Sequence, residues 1–558
     1  MKTKISYFLL FAILLGATSF SSPFHLNGDP QKALTLAGSN IELSDNISDP
    51  PVNNDVEMVF LSFSEALDKI TVKENVKLFR IGAKGSETEV PVYTRLDRNN
   101  PALLQIYAKP VLKLKDGEAY RIDIGAGLKS TSGASVRTAF SRYFATNASI
   151  DLKGTGNTAV KRNKIVIISD IHLGIDSKFA EIKQNYSNLV DLVKHVGNAP
   201  DVKELVIGGD LMDQWFIPMN YPTPKDERAF VDAIAANNKE FVNAIVAIIK
   251  EGKIKVTYAP GNHDLTVTEA DIARVFPGIN QSRGNIQGLG EYVTGDKNSI
   301  VIEHGHKYNF FCAPDPVSIK KTTGKESSIM PPGYFFTRIA TSSLTQGKPK
   351  TENTFPVYDV DKNDKEQVLL NYYYMTWKGI LETLPVKEKF SEKVIVTNID
   401  GMNDTYAMAD VIPQYDATKK KFSVKVYDGL VTSWDKRQEV NGVKVKIPTT
   451  EAILGANDDD LTDLQSKVQY FDTDASKRIV VFGHTHKAKV LPFKNLKGEK
   501  TIYANSGTWI DHSLDHPNST FVVITEGGDE SPLSFVNLYQ YYGNGSFTRW
   551  GKAQAILY

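Results

Sequence analysis

Five short stretches of this 558-residue chain carry side chains that bind divalent metal ions. Their imidazole, carboxylate and amide donors suit Mn, Fe or Zn better than a soft-metal centre. The chemistry open to such a set is metal-assisted hydrolysis, in which ions activate water and neutralise charge on the substrate. In chain order the stretches are Asp170-Ile171-His172, Gly209-Asp210-Leu211-Met212-Asp213, Gly261-Asn262-His263-Asp264, His304-Gly305-His306 and Gly483-His484-Thr485-His486.

Apolar segments of strand length precede these stretches and must position them. Amphipathic helices are predicted at 179–196 and 227–250, where apolar residues recur at three- and four-residue spacing. Strand, loop and helix in alternation indicate a layered α/β fold, in which ligands collect beyond the carboxyl ends of the strands. The five stretches are therefore expected to meet in one crevice. The predicted strands are 165–169, 205–207, 254–258, 300–303, 479–482 and 502–504.

Composition narrows the ligand types further. A single cysteine, Cys312, excludes a disulfide framework, a thiolate zinc site and a CxxC redox motif. Any metal ion must then be bound by His, Asp, Glu or Asn. The chain has 65 Lys+Arg against 65 Asp+Glu, so its charge gives no reason to expect a nucleic-acid partner.

The first residues have the organisation of a secretory signal peptide. Lys2 and Lys4 precede an apolar run at 7–15, and small residues follow at 16–19. The alternative is an uncleaved anchor. No later segment has eighteen uninterrupted apolar residues, so no transmembrane segment is expected in the mature chain. We predict a signal peptide at 1–19 and an exported protein of the periplasm or cell envelope, with secretion as the alternative.

Residues 36–148 are predicted to form a β-sandwich. Alternating apolar segments recur there at intervals of about ten residues, without a long helical period. The region resembles bacterial Ig-like domains through Phe63-Ser64-Glu65 and the closing Phe144-Ala145-Thr146. Such a domain is interpreted as a spacer or packing partner, and the alternative is a module that binds a glycan or another protein. The predicted strands are 58–63, 76–81, 90–93, 103–107 and 120–124.

The five metal-binding stretches, in this order, resemble the motifs of the calcineurin-like metallophosphoesterase superfamily. Its pattern is DxH, GDxxD, GNH(D/E), a solitary His segment and GHxH, and this sequence matches every ligand type. The resemblance implies a metallophosphoesterase layered α/β sandwich and a metal-dependent phosphoric ester hydrolase. It divides the chain into a core at 160–307 and 476–558, with a large insertion at 308–475, all preceded by the all-β Ig-like sandwich.

The resemblance also implies two divalent metal ions and a ligand for each position. Ions about 3.5 to 4 Å apart need a negative ligand between them, and Asp210 is the natural bridge. By resemblance one ion is completed by Asp170, His172 and His486, and the other by Asn262, His304 and His484. Asn262 is also a candidate substrate contact.

His306 leaves alternatives open. It is interpreted as an outer donor, as a substrate contact, or as the ligand in place of His304, and we favour His304 as the ligand.

The expected reaction is attack of a metal-bridging hydroxide on phosphorus. His263, held by the adjacent Asp264, resembles the general acid of the family. Asp213 is expected to support its loop without touching metal. The position three after Asp210 is not tyrosine, which disfavours an iron-tyrosinate purple acid phosphatase.

The insertion contains one strongly patterned helix, at 367–384, whose apolar stripe is rich in aromatic residues. The stripe is interpreted either as core or as a lid that receives an acyl chain or aryl group. Segments 422–426 and 443–447 alternate as strands. A weaker resemblance, carried by 168–174 and 209–215, points to the UDP-2,3-diacylglucosamine pyrophosphohydrolase branch, whose members carry a helical insert over the metals.

Together these observations predict an exported dinuclear-metal phosphoesterase that hydrolyses a phosphomonoester or phosphodiester. The expected substrate is a small-molecule or lipid phosphoester, with lipid and sugar phosphates as the leading classes. The cytoplasmic, nucleotide-linked substrate of the UDP-2,3-diacylglucosamine branch does not suit an exported enzyme. The alternative function is an exported binding or scaffold protein with a non-catalytic metal domain, which would not need His263.

Overall fold

The computed structural model describes residues 33–109, 113–154, 161–512, 516–528 and 531–557. The predicted signal peptide at 1–19 lies outside these residues. Among the helices of the described part, none is long and apolar enough to cross a membrane.

The N-terminal region is all-β apart from one short α-helix and a single 3-10 turn at Ala83–Gly85. Two sheets, β1-β3-β7-β6 and β2-β9-β8-β4-β5, enclose a shared apolar core, and their strands are antiparallel except that β2 pairs with β9 in parallel. The predicted strand at 90–93 is two strands, because Pro91 separates β5 in one sheet from β6 in the other. The elements are β1 Leu36–Ser39, β2 Val52–Asn53, β3 Val59–Phe63, α1 Lys69–Asn75, β4 Val76–Ile81, β5 Glu87–Val90, β6 Val92–Leu96, β7 Leu103–Ala108, β8 Ala119–Ile124 and β9 Phe140–Thr146.

The first part of the core alternates strands and helices, as predicted. The helix predicted at 227–250 is two helices, because Asn238 leaves helical geometry and its amide donates to the carbonyls of Gly174 and Ile234. The elements are β10 Lys164–Ile168, α2 Tyr186–Asn198, β11 Val202–Gly208, α3 Glu227–Asn237, α4 Lys239–Glu251, β12 Lys255–Ala259, α5 Glu269–Val275, β13 Asn280–Gln281, β14 Glu291–Thr294 and β15 Ile300–Glu303.

Most of the regular secondary structure in the insertion is helical. The helix predicted at 367–384 corresponds to α8. The prediction of a strand at 443–447 is wrong, since no strand forms there. The elements are α6 Ile319–Thr323, α7 Gly333–Thr345, α8 Lys365–Thr383, β16 Lys393–Val396, β17 Thr405–Ala407, α9 Met408–Val411, β18 Gln414–Asp416, β19 Lys421–Ser423, α10 Trp434–Val440, α11 Thr449–Leu454 and α12 Asp459–Ser466.

The chain then returns to the core and completes its two sheets. β10 to β13 are parallel neighbours in an eight-stranded sheet, and β15, β20 and β22 are parallel neighbours in a five-stranded sheet. The remaining strands are β20 Ile479–Phe482, β21 Lys489–Lys494, β22 Lys500–Asn505, β23 Thr520–Thr525, β24 Leu533–Gly543, β25 Ser546–Arg549 and β26 Gln554–Leu557.

Side-chain packing stacks these elements in layers. Ile165 and Ile524 of the eight-stranded sheet share one core with Ile302 and Val481 of the five-stranded sheet. Helices α2 and α4 cover the other face of the large sheet. The outer face of the small sheet packs on the insertion, through a core that includes Val480. The fold is thus a layered α/β sandwich whose outermost layer is the insertion.

The aromatic stripe of α8 belongs to this outer layer. Tyr373 and Trp377 are fully buried, and their rings lie within 6 Å of Phe311, between ring centroids. The insertion is also held by Arg338 of α7, a buried cation that donates to the carbonyls of Ile217 and Met219. The stripe therefore packs in a hydrophobic core and is not an open apolar face.

Truncating this core is expected to destabilise the protein. The Trp377→Ala variant removes a fully buried side chain, and a loss of about 3–5 kcal/mol in the free energy of unfolding is expected. Denaturant titration followed by circular dichroism measures it. Glu382→Ala, on the exposed side of the same helix, should change stability by less than about 0.5 kcal/mol. Equal midpoints for the two variants would contradict the assignment of the stripe to a core.

Candidate metal centre

The metal-binding stretches lie at the carboxyl ends of strands from both sheets. Asp170 follows β10, Asp210 follows β11 and Asn262 follows β12 in the large sheet, whereas His304 follows β15 and His484 follows β20 in the small sheet. Since the strands within each set are parallel, these ends meet at one edge of the layered core. The structure thus brings the predicted ligands together.

The first group of ligands contains Asp170, His172 and His486. The Nε2 atom of His486 lies 3.2 Å from Asp170 Oδ1 and 3.2 Å from His172 Nε2. These three residues and Asp210 each offer one ligand atom, and the four atoms lie within 4.8 Å of one another. Three of the four residues are buried, and the side chain of His486 is 29% exposed. The group thus reaches solvent through His486.

The second group of predicted ligands is His304, His484 and Asn262, and it meets Asp210 through His304. His304 Nε2 is 3.1 Å from Asp210 Oδ2, and His304 Nδ1 is 3.0 Å from the Gly208 carbonyl. The ring of His484 lies 5.3 Å from the ring of His304. The amide oxygen of Asn262 is buried and has no hydrogen-bond partner among the described residues. Asp210 Oδ2 is also 3.6 Å from His172 Nε2, so this carboxylate faces both groups.

Electrostatics keep the central carboxylate ionised. Burial alone would raise the pKa of Asp210, but His304 and His263 outweigh it and hold that pKa well below its usual range. Burial alone would lower the pKa of His304, but Asp210 and Asp170 outweigh it and raise the pKa to about 9. The centre is therefore one that attracts positive charge.

The backbone is strained at the predicted ligands. Asp170, His172, Asp210, His484 and His486 all have positive φ, between 51° and 68°. For a residue with a side chain this conformation costs on the order of 1–3 kcal/mol and persists only where the surroundings enforce it. The concentration of strain at these five positions is typical of a functional site.

Two glycines let the ligand loops approach one another. A Cβ on Gly261 would lie 2.2 Å from Asp210 Oδ1, and a Cβ on Gly483 would lie 2.4 Å from Asp170 Oδ2. A Cβ atom essentially never lies that close to a non-bonded oxygen, so glycine is the residue that fits at either position. Each glycine precedes a predicted ligand of its own loop and makes room for a ligand of another.

His263 is held by Asp213, and the prediction that Asp264 holds it is wrong. His263 Nδ1 lies 2.8 Å from Asp213 Oδ1, and the other Asp213 oxygen lies 3.1 Å from His172 Nδ1. Burial alone would lower the pKa of His263, but Asp213 outweighs it and raises that pKa. Asp213 was expected only to support its loop, and it orients two histidines of the site.

Asp264 instead joins two ligand loops beneath the site. It is fully buried and accepts hydrogen bonds from the Gly261 amide at 2.6 Å, the Leu211 amide at 3.0 Å and the Tyr258 hydroxyl at 2.7 Å. Being next to His263 in the chain does not bring its carboxylate to the imidazole, because the side chain points into the loop interior.

A stability test separates this structural role of Asp264 from a chemical one. In Asp264→Asn an amide N–H group would face the donors of Gly261 or Leu211, which costs about 1–3 kcal/mol in the free energy of unfolding. Thermal unfolding of the metal-free protein measures the loss, and Tyr258→Phe, which removes one donor, should lose less. If Asp264→Asn were as stable as the wild type but inactive, Asp264 would belong to the chemistry.

Two further residues touch the histidines and were missed in the sequence. The Trp215 ring stacks on His263, with centroids 4.8 Å apart and an interplanar angle of 29°. Glu181 Oε2 lies 3.0 Å from His172 Nδ1. Trp215 lies two positions after the second metal-binding stretch, and this closeness in sequence could have marked it as a residue of the site. Glu181 lies in a loop before α2 without any motif, so nothing in the sequence marks it.

His306 lies beside the second group. It is 2% exposed, and both ring nitrogens lack a hydrogen-bond partner among the described residues. Its ring is 5.4 Å from the ring of His304. Burial is the main cause that holds its pKa well below the usual range, so the imidazole is neutral. Only His304 of the two points a nitrogen at Asp210, which favours His304 as the ligand.

A known family matches the part of the chain that carries most of this site. Residues 163–332 match the family model of the calcineurin-like phosphoesterases. This segment includes four of the five stretches, and His484 and His486 lie beyond it. The chain is a metal-dependent phosphoric ester hydrolase, and the family implies divalent metal ions at the site.

Several solved structures are similar to the chain, one over most of its length and others over a quarter of it or less. A purple acid phosphatase, PPD1 from yellow lupin (Lupinus luteus) seeds, is 10% identical, with 92% of this chain and 74% of that chain covered and a TM-score of 0.26. The copper resistance protein PcoC from Escherichia coli is 22% identical, with 20% of this chain and 99% of that chain covered and a TM-score of 0.16. The S-layer protein rSbsC is 17% identical, with 25% of this chain and 17% of that chain covered and a TM-score of 0.15. No curated protein matches the chain.

Proposed function

We propose that the chain is an exported phosphoesterase that works with two divalent metal ions bound on either side of Asp210. The observation that carries this proposal is the position of Asp210 Oδ2, which lies within 3.6 Å of a histidine nitrogen from each group. A carboxylate facing two sets of donors is the arrangement that two neighbouring cations require.

The residues present suit such ions. Asn262 offers a buried amide oxygen without a hydrogen-bond partner among the described residues, and the other donors are imidazole and carboxylate groups, which suit Mn, Fe or Zn. When bound, the ions would neutralise phosphoryl oxygens and make water a better nucleophile. The residues proposed to hold them are Asp170, His172, Asp210, Asn262, His304, His484 and His486.

His263 is proposed to protonate the leaving oxygen. Its Nδ1 atom is engaged by Asp213, which leaves Nε2 as the nitrogen available to a substrate. Trp215 stacks on the ring and limits its rotation. The His263 side chain is 12% exposed, so a substrate can reach the ring from the solvent side. Asp213 thus fixes the tautomer, and Trp215 fixes the plane of the ring.

The proposed substrate is a small-molecule or lipid phosphoester, with lipid and sugar phosphates as the classes to test first. The resemblance of 168–174 and 209–215 to the UDP-2,3-diacylglucosamine branch supports a lipid phosphate. Because the stripe of α8 is buried in a core, an acyl chain would have to bind elsewhere. The N-terminal region is proposed to be an Ig-like packing partner, since Ile81 and Ala145 share a core with Phe535 of β24.

Hydrolysis of aryl phosphates tests the proposed activity. The full chain is treated with chelator, reloaded with Mn²⁺, Zn²⁺ or Fe²⁺, and assayed with p-nitrophenyl phosphate and bis-p-nitrophenyl phosphate. Metal-dependent hydrolysis of at least one ester is expected, with two ions per chain by elemental analysis. The control is Asp232→Asn, which changes an exposed carboxylate on α3. Its hydrolysis rate and its metal content should equal those of the wild type. Wild type inactive with every metal and ester would favour the scaffold alternative.

Export is tested separately. The mature N-terminus, sequenced from protein recovered from the cell envelope, is expected to begin close to residue 20. Recovery of the intact N-terminus from the cytoplasm would contradict the proposed location and leave the proposed chemistry untouched.

A further inference from the structure

The last helix of the insertion, α12, lies against two of the loops that carry predicted ligands. It packs on β20, which leads to His484, and on the turn at 306–308. Just before the helix, the carbonyl of Ala456 accepts a hydrogen bond of 2.8 Å from Asn309. The insertion therefore covers the small sheet and, through α12, also contacts the segments of that sheet that lead into the metal centre.

Asp463 makes the closest of these contacts. Its side chain is almost fully buried, and Oδ1 accepts hydrogen bonds from the Tyr503 hydroxyl, from Thr485 Oγ1 at 3.2 Å and from Asn505 Nδ2 at 3.3 Å. Lys489 Nζ lies 2.7 Å from the other oxygen. A buried carboxylate with this many donors is held in one position, because each donor would lose its partner if it moved.

The network reaches the loop of His484 and His486 through Thr485, which belongs to that loop, and through Asn505 of β22. Thr485 lies between the two histidines, and Asn505 Nδ2 also donates to the Gly483 carbonyl at 2.7 Å and to Thr485 Oγ1 at 3.0 Å. Asp463 and Asn505 thus fix the loop before and between its two predicted ligands.

The loop needs such support because its backbone is strained. His484 and His486 have φ of 68° and 59°, a conformation that surrounding contacts must enforce. The network around Asp463 provides contacts of this kind at Gly483 and Thr485. Without them the loop can relax, and the imidazoles then lose the positions in which they face Asp170 and His304.

We propose that Asp463 of the insertion is a positioning residue of the metal centre, holding His484 and His486 in their strained conformation. The inference rests on the metal centre of the proposed function and adds a role for the insertion. Loss of a residue that orients ligands weakens metal binding by about 10–100-fold. The insertion then belongs to the centre itself, and a chain lacking α12 would bind metal poorly.

Metal titration of the folded, metal-free full chain tests this role. Mn²⁺ binding is measured by calorimetry for Asp463→Ala and for Thr485→Val, which removes the hydroxyl that meets Asp463 and keeps the side-chain shape. Both variants should bind Mn²⁺ about 10–100-fold more weakly than wild type. The double variant should be little weaker than the weaker single one, because both changes break the same contact.

Asp460→Asn is the matched control. Asp460 lies on the same helix and pairs with the same Lys489 at 2.9 Å, but its side chain is 82% exposed and does not contact Thr485. It should bind Mn²⁺ as the wild type does. Thermal unfolding of all metal-free variants shows whether a lower affinity reflects unfolding.

The outcomes separate this inference from the proposed function. If Asp463→Ala and Thr485→Val bound Mn²⁺ as tightly as wild type and only unfolded at lower temperature, Asp463 would be a plain stability residue and the inference would be overturned. If Asp463→Ala did not fold, Thr485→Val alone would decide. If wild type bound no Mn²⁺, Zn²⁺ or Fe²⁺ at all, the proposed function itself would fail.

Discussion

The Asp210→Asn variant is expected to lose hydrolysis, with kcat/KM lower by about a thousandfold or more. Asp210 Oδ2 faces His304 at 3.1 Å and His172 at 3.6 Å, so this carboxylate is the charge between the two ligand groups. A neutral amide cannot offset the repulsion of two cations, and several kcal/mol of charge stabilisation correspond to about three powers of ten in rate.

Asparagine keeps the shape of Asp210 and one acceptor oxygen. The hydrogen bond of 2.8 Å from the His263 amide can therefore persist, and the loop should stay folded. Elemental analysis of the reloaded protein is expected to give one ion or none per chain, against two for wild type and for Asp232→Asn. An Asp210→Asn protein that retained two ions and activity within tenfold of wild type would remove Asp210 from the centre of the proposal.

The strands that position the site were predictable because they are buried on both faces. A continuous apolar run admits few other interpretations, and the strands predicted at 300–303 and 479–482 agree with β15 and β20 at both ends. Since parallel strands end at one edge, the convergence of the stretches that follow them was predictable as well. The alternation of apolar and polar residues predicted a strand wrongly where backbone amides donate to a side chain and not to a neighbouring strand. At 443–447, the amides of Lys444 and Val445 donate to the side chain of Gln469, so no strand pairing is needed.

The partner of His263 was not predictable from order along the chain. Asp264 is adjacent in sequence, but the direction of a side chain depends on the turn of the loop, and Asp213 from another loop reaches the imidazole. Positive φ at Asp170 and Asp210 is likewise invisible in the sequence, because the residue types do not require it. Asp463 shows the same limit, since a contact between distant segments leaves no local pattern.

The His263→Asn variant is expected to lower kcat by about 10² to 10⁴ and to leave Mn²⁺ affinity unchanged. The asparagine amide can keep the contact with Asp213 that His263 Nδ1 makes at 2.8 Å, but it has no group in the place of Nε2 to protonate a leaving oxygen. An alkyl phosphate needs that proton more than a nitrophenyl phosphate does, because alkoxide is the more basic leaving group. The ratio of wild-type to variant kcat should therefore be larger for the alkyl ester.

Asp213→Asn provides the contrast that identifies the role of His263. Asp213 contacts His172 at 3.1 Å as well as His263, so its loss should weaken Mn²⁺ binding in addition to lowering kcat. A variant that affects only kcat and one that affects both kcat and affinity can be distinguished by calorimetry and steady-state kinetics on the same preparations. If His263→Asn showed the same ratio for both esters, the histidine would stabilise charge on the phosphoryl group and would not protonate the leaving group.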